Sequence, residues 1–400
     1  MAAVAEGLRL LLVADVSAEQ VLGGAERMLN AHLRALLEAG HTVTLLTRQP
    51  DPDAPLRIAL PCGIDEHRLP YDGDRGLRGF MQLRRAAGAW WRLRASHFDL
   101  VVAEQPFVAA ALVAAGCRLP RLQVCHSLAC EEYAGRYGLD GGLRARLAAA
   151  AMLWLERWIY RTADRVLALS VFTRERLRRM VGVAPEQVVI APAGVSLPRR
   201  VRAAQRQAWR AQLGWEGPVV VTLRNLVPRT GVDLLVQTAA ILRRSHPALR
   251  WCVIGAGPLQ QPLRHLAGML AVEEQIEWCG YLDEEQVAMR MAAADLFLLP
   301  TRSLEGFGLV TLEAAGFGLP VVATPVDANL EVVPELDDNR LAEAATPQAL
   351  ARAVGEALAA QQDEEYEARA TRIRDQAQQR FPWQAHDAAL LRAIAQIAAG

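Results

Sequence analysis

Lysine is absent from this 400-residue chain, and all 44 basic side chains are arginine. That excludes a Schiff base with pyridoxal phosphate or a carbonyl substrate, and it excludes the lysine of a Walker-type phosphate loop. Any bound anion must be held by arginine, histidine or backbone amides, and arginine neutralises charge without shuttling protons near neutral pH. Net charge is missing too: 44 acidic residues balance the arginines, so a nucleic-acid partner has no global electrostatic support. No apolar run approaches the roughly 18 residues of a membrane-spanning helix. The N-terminus has no positive n-region, and the aliphatic run 8–13 is too short for a signal-peptide core. The six cysteines (62, 117, 125, 130, 252, 279) form no CxxC pair and no zinc spacing. Their apolar contexts predict reduced, buried thiols in a cytoplasmic protein.

Length predicts two domains. Leu8 to Val13 is an aliphatic run broken only by Arg9, as in a strand buried on both faces of a parallel sheet. Gly23-Gly24-Ala25-Glu26 follows it, then a helical pattern from Arg27 to Ala39 stopped by Gly40, then a strand over Val43 to Leu46. Strand, glycine loop, helix and strand make a βαβ unit. Further strands read at 100–103, 122–125, 166–169 and 188–190. The pattern restarts with a strand at 219–223, a helix at 232–243, and strands at 250–254, 276–278, 296–299 and 321–323. The fold class is therefore α/β, with two doubly wound parallel sheets joined near 196–210. The domains are placed at 1–198 and 199–382. The acidic, Gln-rich stretch 361–379 reads as a solvated helix, and 383–399 as a helix with an aliphatic face.

The chemistry concentrates in Glu305-Gly306-Phe307-Gly308-Leu309-Val310-Thr311-Leu312-Glu313. Two carboxylates stand eight positions apart across what reads as a helix start, with Glu305 in the preceding loop and Glu313 in the second turn. Gly306 and Gly308 let a ligand approach the backbone, and a helix N-terminus seats phosphate. Carboxylates accept pairs of hydrogen bonds from the vicinal hydroxyls of a ribose or hexose. A dinucleotide fingerprint fits poorly: in Gly255-Ala256-Gly257-Pro258 the third glycine position is Gln260, and Gly23-Gly24 lacks the spacing. An NAD-type oxidoreductase is the weak alternative.

Gly23-Gly24-Ala25-Glu26, Ser170-x-Phe172-Thr173, Pro192-x-Gly194-Val195, Arg224 to Gly231, Ile254-Gly255-x-Gly257-Pro258 and Glu305 to Glu313 resemble, in order, the motifs of glycosyltransferase family 4. The resemblance covers nearly the whole chain. It implies a GT-B fold, two Rossmann-like domains facing across a cleft, with the last helix (about 383–400) packed back on the first domain. It also implies a retaining transfer from a nucleotide-sugar to a glycan, lipid-linked glycan or small-molecule acceptor. A non-catalytic nucleotide-sugar-binding protein of the same fold is the main rival.

Carried over by position, Arg224 and Arg229 resemble the basic pair that grips the donor diphosphate, with arginine at a second position where lysine is commoner. Glu313 resembles the residue that binds the donor ribose. Glu305 resembles the one facing the transferred sugar, with the Gly306, Phe307 and Gly308 amides beside it. Gly24 resembles the loop glycine that closes over the diphosphate. His126 ends a strand where the family often has a histidine near the sugar; Glu131 and Glu132, expected in a loop, either line the acceptor side or are plainly solvated. Front-face attack is the family expectation, beside a carboxylate nucleophile. No metal or other cofactor is expected: the DxD form Asp51-Pro52-Asp53 lies in a proline-bracketed turn of the wrong half.

Departures from the family pattern fall at Pro192-Ala193-Gly194-Val195-Ser196, at Asp327-Ala328-Asn329 in place of a Gly-Gly pair, and between Glu331 and Thr346. They bear on donor identity and acceptor fit. The segment 76–98 holds five arginines, Trp90, Trp91 and no acid. Two readings stay open for it: a helix packing its tryptophans inward, or a peripheral contact with the inner face of an anionic membrane.

Overall fold

The computed structural model describes residues 7–19, 23–73, 76–137, 142–361 and 365–399, with the side chains of all but 134–137 and 142–145. Aliphatic runs build its strands. In the first sheet these are β1 (Arg9–Ala14), β2 (Thr42–Arg48), β3 (Arg57–Ala59), β4 (Asp65–Leu69), β5 (Leu100–Ala103), β6 (Arg121–Cys125), β7 (Arg165–Ala168) and β8 (Val188–Ile190). Their spatial order is β3-β4-β2-β1-β5-β6-β7-β8, parallel except for β3 against β4. The second sheet comprises β9 (Val219–Leu223), β10 (Arg250–Ile254), β11 (Ile276–Gly280), β12 (Leu296–Leu299), β13 (Val321–Ala323) and β14 (Arg340–Leu341), in the order β11-β10-β9-β12-β13-β14.

Apart from the antiparallel edge pair β3-β4, each order reverses direction once, between β1 and β5 in the first sheet and between β9 and β12 in the second. Open α/β sheets bind ligands beyond the carboxyl ends of the strands that flank such a reversal. The fold thereby nominates the residues just after β1, β5, β9 and β12.

The chain divides into two compact units, Met1–Ala193 with Gln384–Gly400, and Gly194–Trp383. The sequence places the first division five residues later. Residues 194–196 instead pack on 381–383: Val195 N–H donates to the Phe381 carbonyl at 2.8 Å and Trp383 Nε1–H to Ser196 Oγ at 3.3 Å. A Cβ on Gly194 would sit 2.4 Å from the Trp383 ring, so glycine is required for that approach.

The Trp383–Ala398 helix buries Ala389, Leu390, Ala393, Ile394 and Ile397 in one cluster with Leu10, Leu12, Leu100 and Leu122 of the first sheet. The Tyr366–Arg380 helix corrects the expectation of a solvated stretch. Ala370, Ile373 and Ala377 form a buried stripe, and the guanidinium of Arg374 donates to the Pro198 carbonyl at 2.6 Å and to that of Gly316. Residues 362–364 of that stretch lie outside the described residues.

The cysteines correct another expectation. Cys62 is exposed and Cys279 half-buried, while Cys117, Cys125, Cys130 and Cys252 are buried. Burial pushes the Cys125 thiol up to about 12. In the Leu77–Arg92 helix Trp91 is buried and Trp90 stacks on Phe98 at 5.8 Å, so the tryptophans point inward. Arg78, Arg84, Arg85 and Arg92 stay exposed beside Leu77. Among the described residues no helix is long and apolar enough to cross a membrane.

Candidate active site

The reversal of the second sheet gathers the charged residues that the sequence singles out. Arg224 follows β9 and Glu305 lies in the loop after β12. Arg224 Nη2 donates to Glu305 Oε2 at 2.8 Å and to Thr301 Oγ1 at 3.1 Å, and Thr301 Oγ1 donates to the same carboxylate oxygen at 2.7 Å. Both charged side chains are under a tenth exposed, so their interaction is only weakly screened. Arg224 Nε is buried and has no hydrogen-bond partner among the described residues. A guanidinium has five N–H donors, so the two bonds from Nη2 orient Arg224 without exhausting it.

Arg229 lies in the turn Pro228–Thr230, where its Nη1 donates to the Leu304 carbonyl at 3.3 Å. Its own carbonyl accepts from Arg302 N–H at 2.9 Å, locking the two loops together. The joint is tight because Gly231 has φ +70 and a Cβ there would lie 1.9 Å from the Pro300 carbonyl oxygen.

The Leu309–Gly316 helix begins where expected, which puts Glu305 before it and the half-buried Glu313 in its second turn. Gly308 caps it at φ +80, with Asn329 Oδ1 3.5 Å and Glu305 Cγ 3.7 Å from where a Cβ would stand. Gly306 is half-buried, and Phe307 is buried edge-on against Phe381 at 6.2 Å. Phe307 therefore contributes packing and backbone to the loop.

Asp327-Ala328-Asn329, where the family has a Gly-Gly pair, grips this loop directly. Asp327 Oδ2 accepts from Glu305 N–H at 3.2 Å, and Ala328 N–H donates to the Glu305 carbonyl at 3.1 Å. Asp327 does so at φ +51, a left-handed conformation that short polar residues tolerate and glycine finds easy. The departure thus substitutes a side-chain grip for backbone freedom.

In the first unit His126 follows β6, and its Nε2 lies 3.1 Å from Glu104 Oε2 at the end of β5. The contact continues inward. Glu104 Oε1 is 2.6 Å from His32 Nδ1, His32 Nε2 is 2.8 Å from His386 Nε2, and His386 Nδ1 is 3.0 Å from the Ala191 carbonyl. His32, His386 and Glu104 are fully or almost fully buried. Burial raises the Glu104 carboxyl, but the His32 charge and hydrogen bonds from His126 and His32 outweigh it and hold it at about 2. Burial, then the charge on His32, pushes His386 down to about 4.

Gly24 is the first residue of the Gly24–Glu38 helix rather than a loop residue, and it is exposed; residues 20–22 before it lie outside the described residues. The start of the β1 loop is held by buried Glu66, which accepts from Ser17 Oγ at 3.0 Å and Ala18 N–H at 3.2 Å. Glu131 and Glu132 correct the expectation of a loop: both lie in the Ala129–Tyr137 helix, Glu131 paired with Arg176 and Glu132 accepting from Ser127 Oγ at 2.8 Å. Asp51 caps an exposed turn, its Oδ1 accepting from Asp53 N–H at 3.0 Å. Among the described residues the metal-capable side chains that come together are Cys252, Glu277 and Cys279, where Glu277 already accepts from Trp215 Nε1 at 3.0 Å and Arg290 Nη2 at 3.3 Å.

Thr301, Glu104, His32 and His386 were not singled out in the sequence, and Asp327 was noted there only as a departure from the family pattern. Glu104 carries the same signal as His126, a polar residue ending an aliphatic strand.

Comparison with known proteins fits this architecture. Residues 22–199 match the family described as Glycosyltransferase Family 4, and residues 205–380 match Glycosyl transferases group 1. Together the two matches span most of the chain, which belongs to glycosyltransferase family 4. A GDP-mannose-dependent alpha-(1-6)-phosphatidylinositol monomannoside mannosyltransferase from Mycolicibacterium smegmatis is 33% identical over 214 residues, 51% of this chain and 55% of that protein. The chain spans about half the length of this and similar curated mannosyltransferases. Sucrose-phosphate synthase from Thermosynechococcus elongatus matches with a TM-score of 0.80 at 23% identity, over 98% of this chain and 99% of that one. HepE from Anabaena, solved in complex with UDP and glucose, matches with a TM-score of 0.69 at 19% identity, over 97% and 99%. These likenesses show the fold, GT-B, with two Rossmann-like domains.

Proposed function

We propose that this protein is a retaining glycosyltransferase that moves a sugar from a nucleotide-sugar donor to a glycan, lipid-linked glycan or small-molecule acceptor, without a metal ion. The observation that carries the reading is the Arg224–Glu305–Thr301 cluster at the reversal of the second sheet. As the bond between sugar and diphosphate breaks, the departing nucleoside diphosphate gains negative charge. Cations held at that point stabilise the transition state more than the ground state. Arg224, oriented by Glu305, and Arg229, anchored on the Leu304 carbonyl, fill this role. Glu313 binds the ribose hydroxyls, the Gly306 to Gly308 backbone and Glu305 meet the sugar, and Gly24 lies near the diphosphate. His126 hydrogen-bonds a hydroxyl of the transferred sugar. The acceptor attacks from the face the diphosphate leaves, and a phosphate oxygen takes its proton. We place the protein in the cytoplasm, with the exposed arginines of the Leu77–Arg92 helix as its surface for an anionic membrane.

The test is a panel of UDP-, GDP- and ADP-sugars, screened first by thermal shift, because a ligand that binds only the folded state raises its stability. Release of nucleoside diphosphate is then followed in chelator. Turnover unaffected by chelator is expected. A shift in stability with no release from any donor would instead identify a non-catalytic binder.

A further inference from the structure

The hydrogen-bonded chain behind His126 contains enough fixed donors and acceptors for its protons to be counted. At its inner end His386 Nδ1 lies 3.0 and 3.2 Å from the carbonyl oxygens of Ala191 and Pro192. Carbonyls only accept, so Nδ1 carries a proton. The His386 ring is fully buried and, with its titration pushed down to about 4, neutral; its Nε2 is therefore a bare acceptor. His32 Nε2, 2.8 Å away, must donate to it. On its other side His32 Nδ1 lies 2.6 Å from Glu104 Oε1. An ionised carboxylate is acceptor-only, so this nitrogen donates as well, and His32 carries both ring protons. His32 and Glu104 form a buried ion pair with no net charge.

That pair leaves one carboxylate oxygen, Oε2, which faces His126 Nε2 at 3.1 Å. Here too the histidine must donate. With Nε2 protonated and no second anion in the chain, a further proton on Nδ1 would leave an uncompensated charge beside a buried ion pair. Among the described residues His126 Nδ1 has no hydrogen-bond partner. Asp387 also interacts with His32 and is itself paired with Arg34 at 3.4 Å.

We propose that His386, His32 and Glu104 are positioning residues that lock His126 as a neutral ring, its Nε2 donating inward and its Nδ1 kept as an acceptor for a hydroxyl of the bound sugar. The proposal rests on the glycosyltransferase reading and deepens it, because it makes His126 selective for a hydroxyl that can donate. A donor sugar with fluorine at the contacted position, which accepts but cannot donate, gains nothing over the deoxy sugar. A cationic His126 would instead donate, and would favour the fluoro sugar over the deoxy one.

The test has two arms on the full chain. In the first, 15N spectroscopy of the histidine rings at pH 7.5, assigned with single His→Gln variants, reads the protons directly. The expected result is His32 with both nitrogens protonated, His126 protonated on Nε2 alone and His386 on Nδ1 alone. A doubly protonated His126, or a neutral His32, overturns the proposal. This arm needs no turnover, so it stands even if no donor is consumed and the functional reading fails.

The second arm is kinetic. Glu104→Gln should lower kcat by about tenfold or more, as loss of a charge-assisted hydrogen bond does, but cause no further loss when His126→Ala is already present. His386→Gln, whose amide can donate to the carbonyl and accept from His32, should retain most of the activity that His386→Leu loses. Independent, additive losses from Glu104→Gln and His126→Ala would show that Glu104 does not act through His126.

Discussion

Three side chains divide the proposed chemistry, and each has its own signature. Arg224→Ala should leave the fold intact and lower turnover by about a hundredfold or more, the loss expected when one donor to a developing charge is removed; turnover within a few-fold of wild type would remove Arg224 from the mechanism. Glu313→Ala should weaken binding of the free nucleoside diphosphate by about tenfold or more, since hydrogen bonds to a carboxylate are worth about 1.5–3 kcal/mol. Glu305 behaves differently because its carboxylate holds Arg224 at 2.8 Å. Glu305→Ala should lower turnover and also loosen nucleotide binding, whereas Glu305→Gln, which can still accept from Arg224, should keep more of the affinity. Calorimetry with the nucleoside diphosphate, alongside donor kinetics, separates these outcomes. The positions of Glu305 and Glu313 around a helix start were legible because the signal is local. Their partners were not: Thr301 is a single hydroxyl in a loop, and Arg224 meets Glu305 across 81 residues of chain.

Strands built from aliphatic runs announce themselves in sequence, and those built from charged residues do not. β5, β8, β9, β10, β12 and β13 fall where their aliphatic runs end. β3 and β4 were missed because Arg57–Ala59 and Asp65–Leu69 carry charged residues, two of which, Glu66 and Arg68, are buried within β4. The Tyr366–Arg380 helix was misread for a related reason: its glutamines and acids mask a stripe of two alanines and an isoleucine. A tight joint between elements is equally silent until backbones are seen together. Gly231 at φ +70, against the Pro300 carbonyl, fixes the turn bearing Arg229 to the loop bearing Thr301. Gly231→Ala should cost about 2–5 kcal/mol of stability, combining a left-handed backbone with a steric clash. Chemical denaturation measures this, and a loss below about 1 kcal/mol would mean the two loops can separate.

Over the whole molecule, acid sensitivity should be concentrated in the unit formed by Met1–Ala193 and Gln384–Gly400, because that unit contains the buried histidine chain. The chain draws on residues 354 positions apart, so nothing in the sequence ties His32 to His386. His386 titrates at about 4 when folded, against 6.5 ordinarily. Between those values the unfolded chain takes up a proton that the folded one refuses, so stability falls as the pH drops from 6.5 to 4, by about 3 kcal/mol in all. Glu104, held at about 2 against 4.5, acts in the same direction at lower pH: its contribution is present above 4.5 and is lost as the pH falls towards 2. Denaturant unfolding at fixed pH values between 7 and 4 should therefore show a declining midpoint for this unit. His386→Gln removes the titrating ring while keeping a donor and an acceptor, and should flatten the decline over 6.5 to 4. If the variant and the wild type lose stability in parallel across that interval, His386 is not the group that takes up the proton.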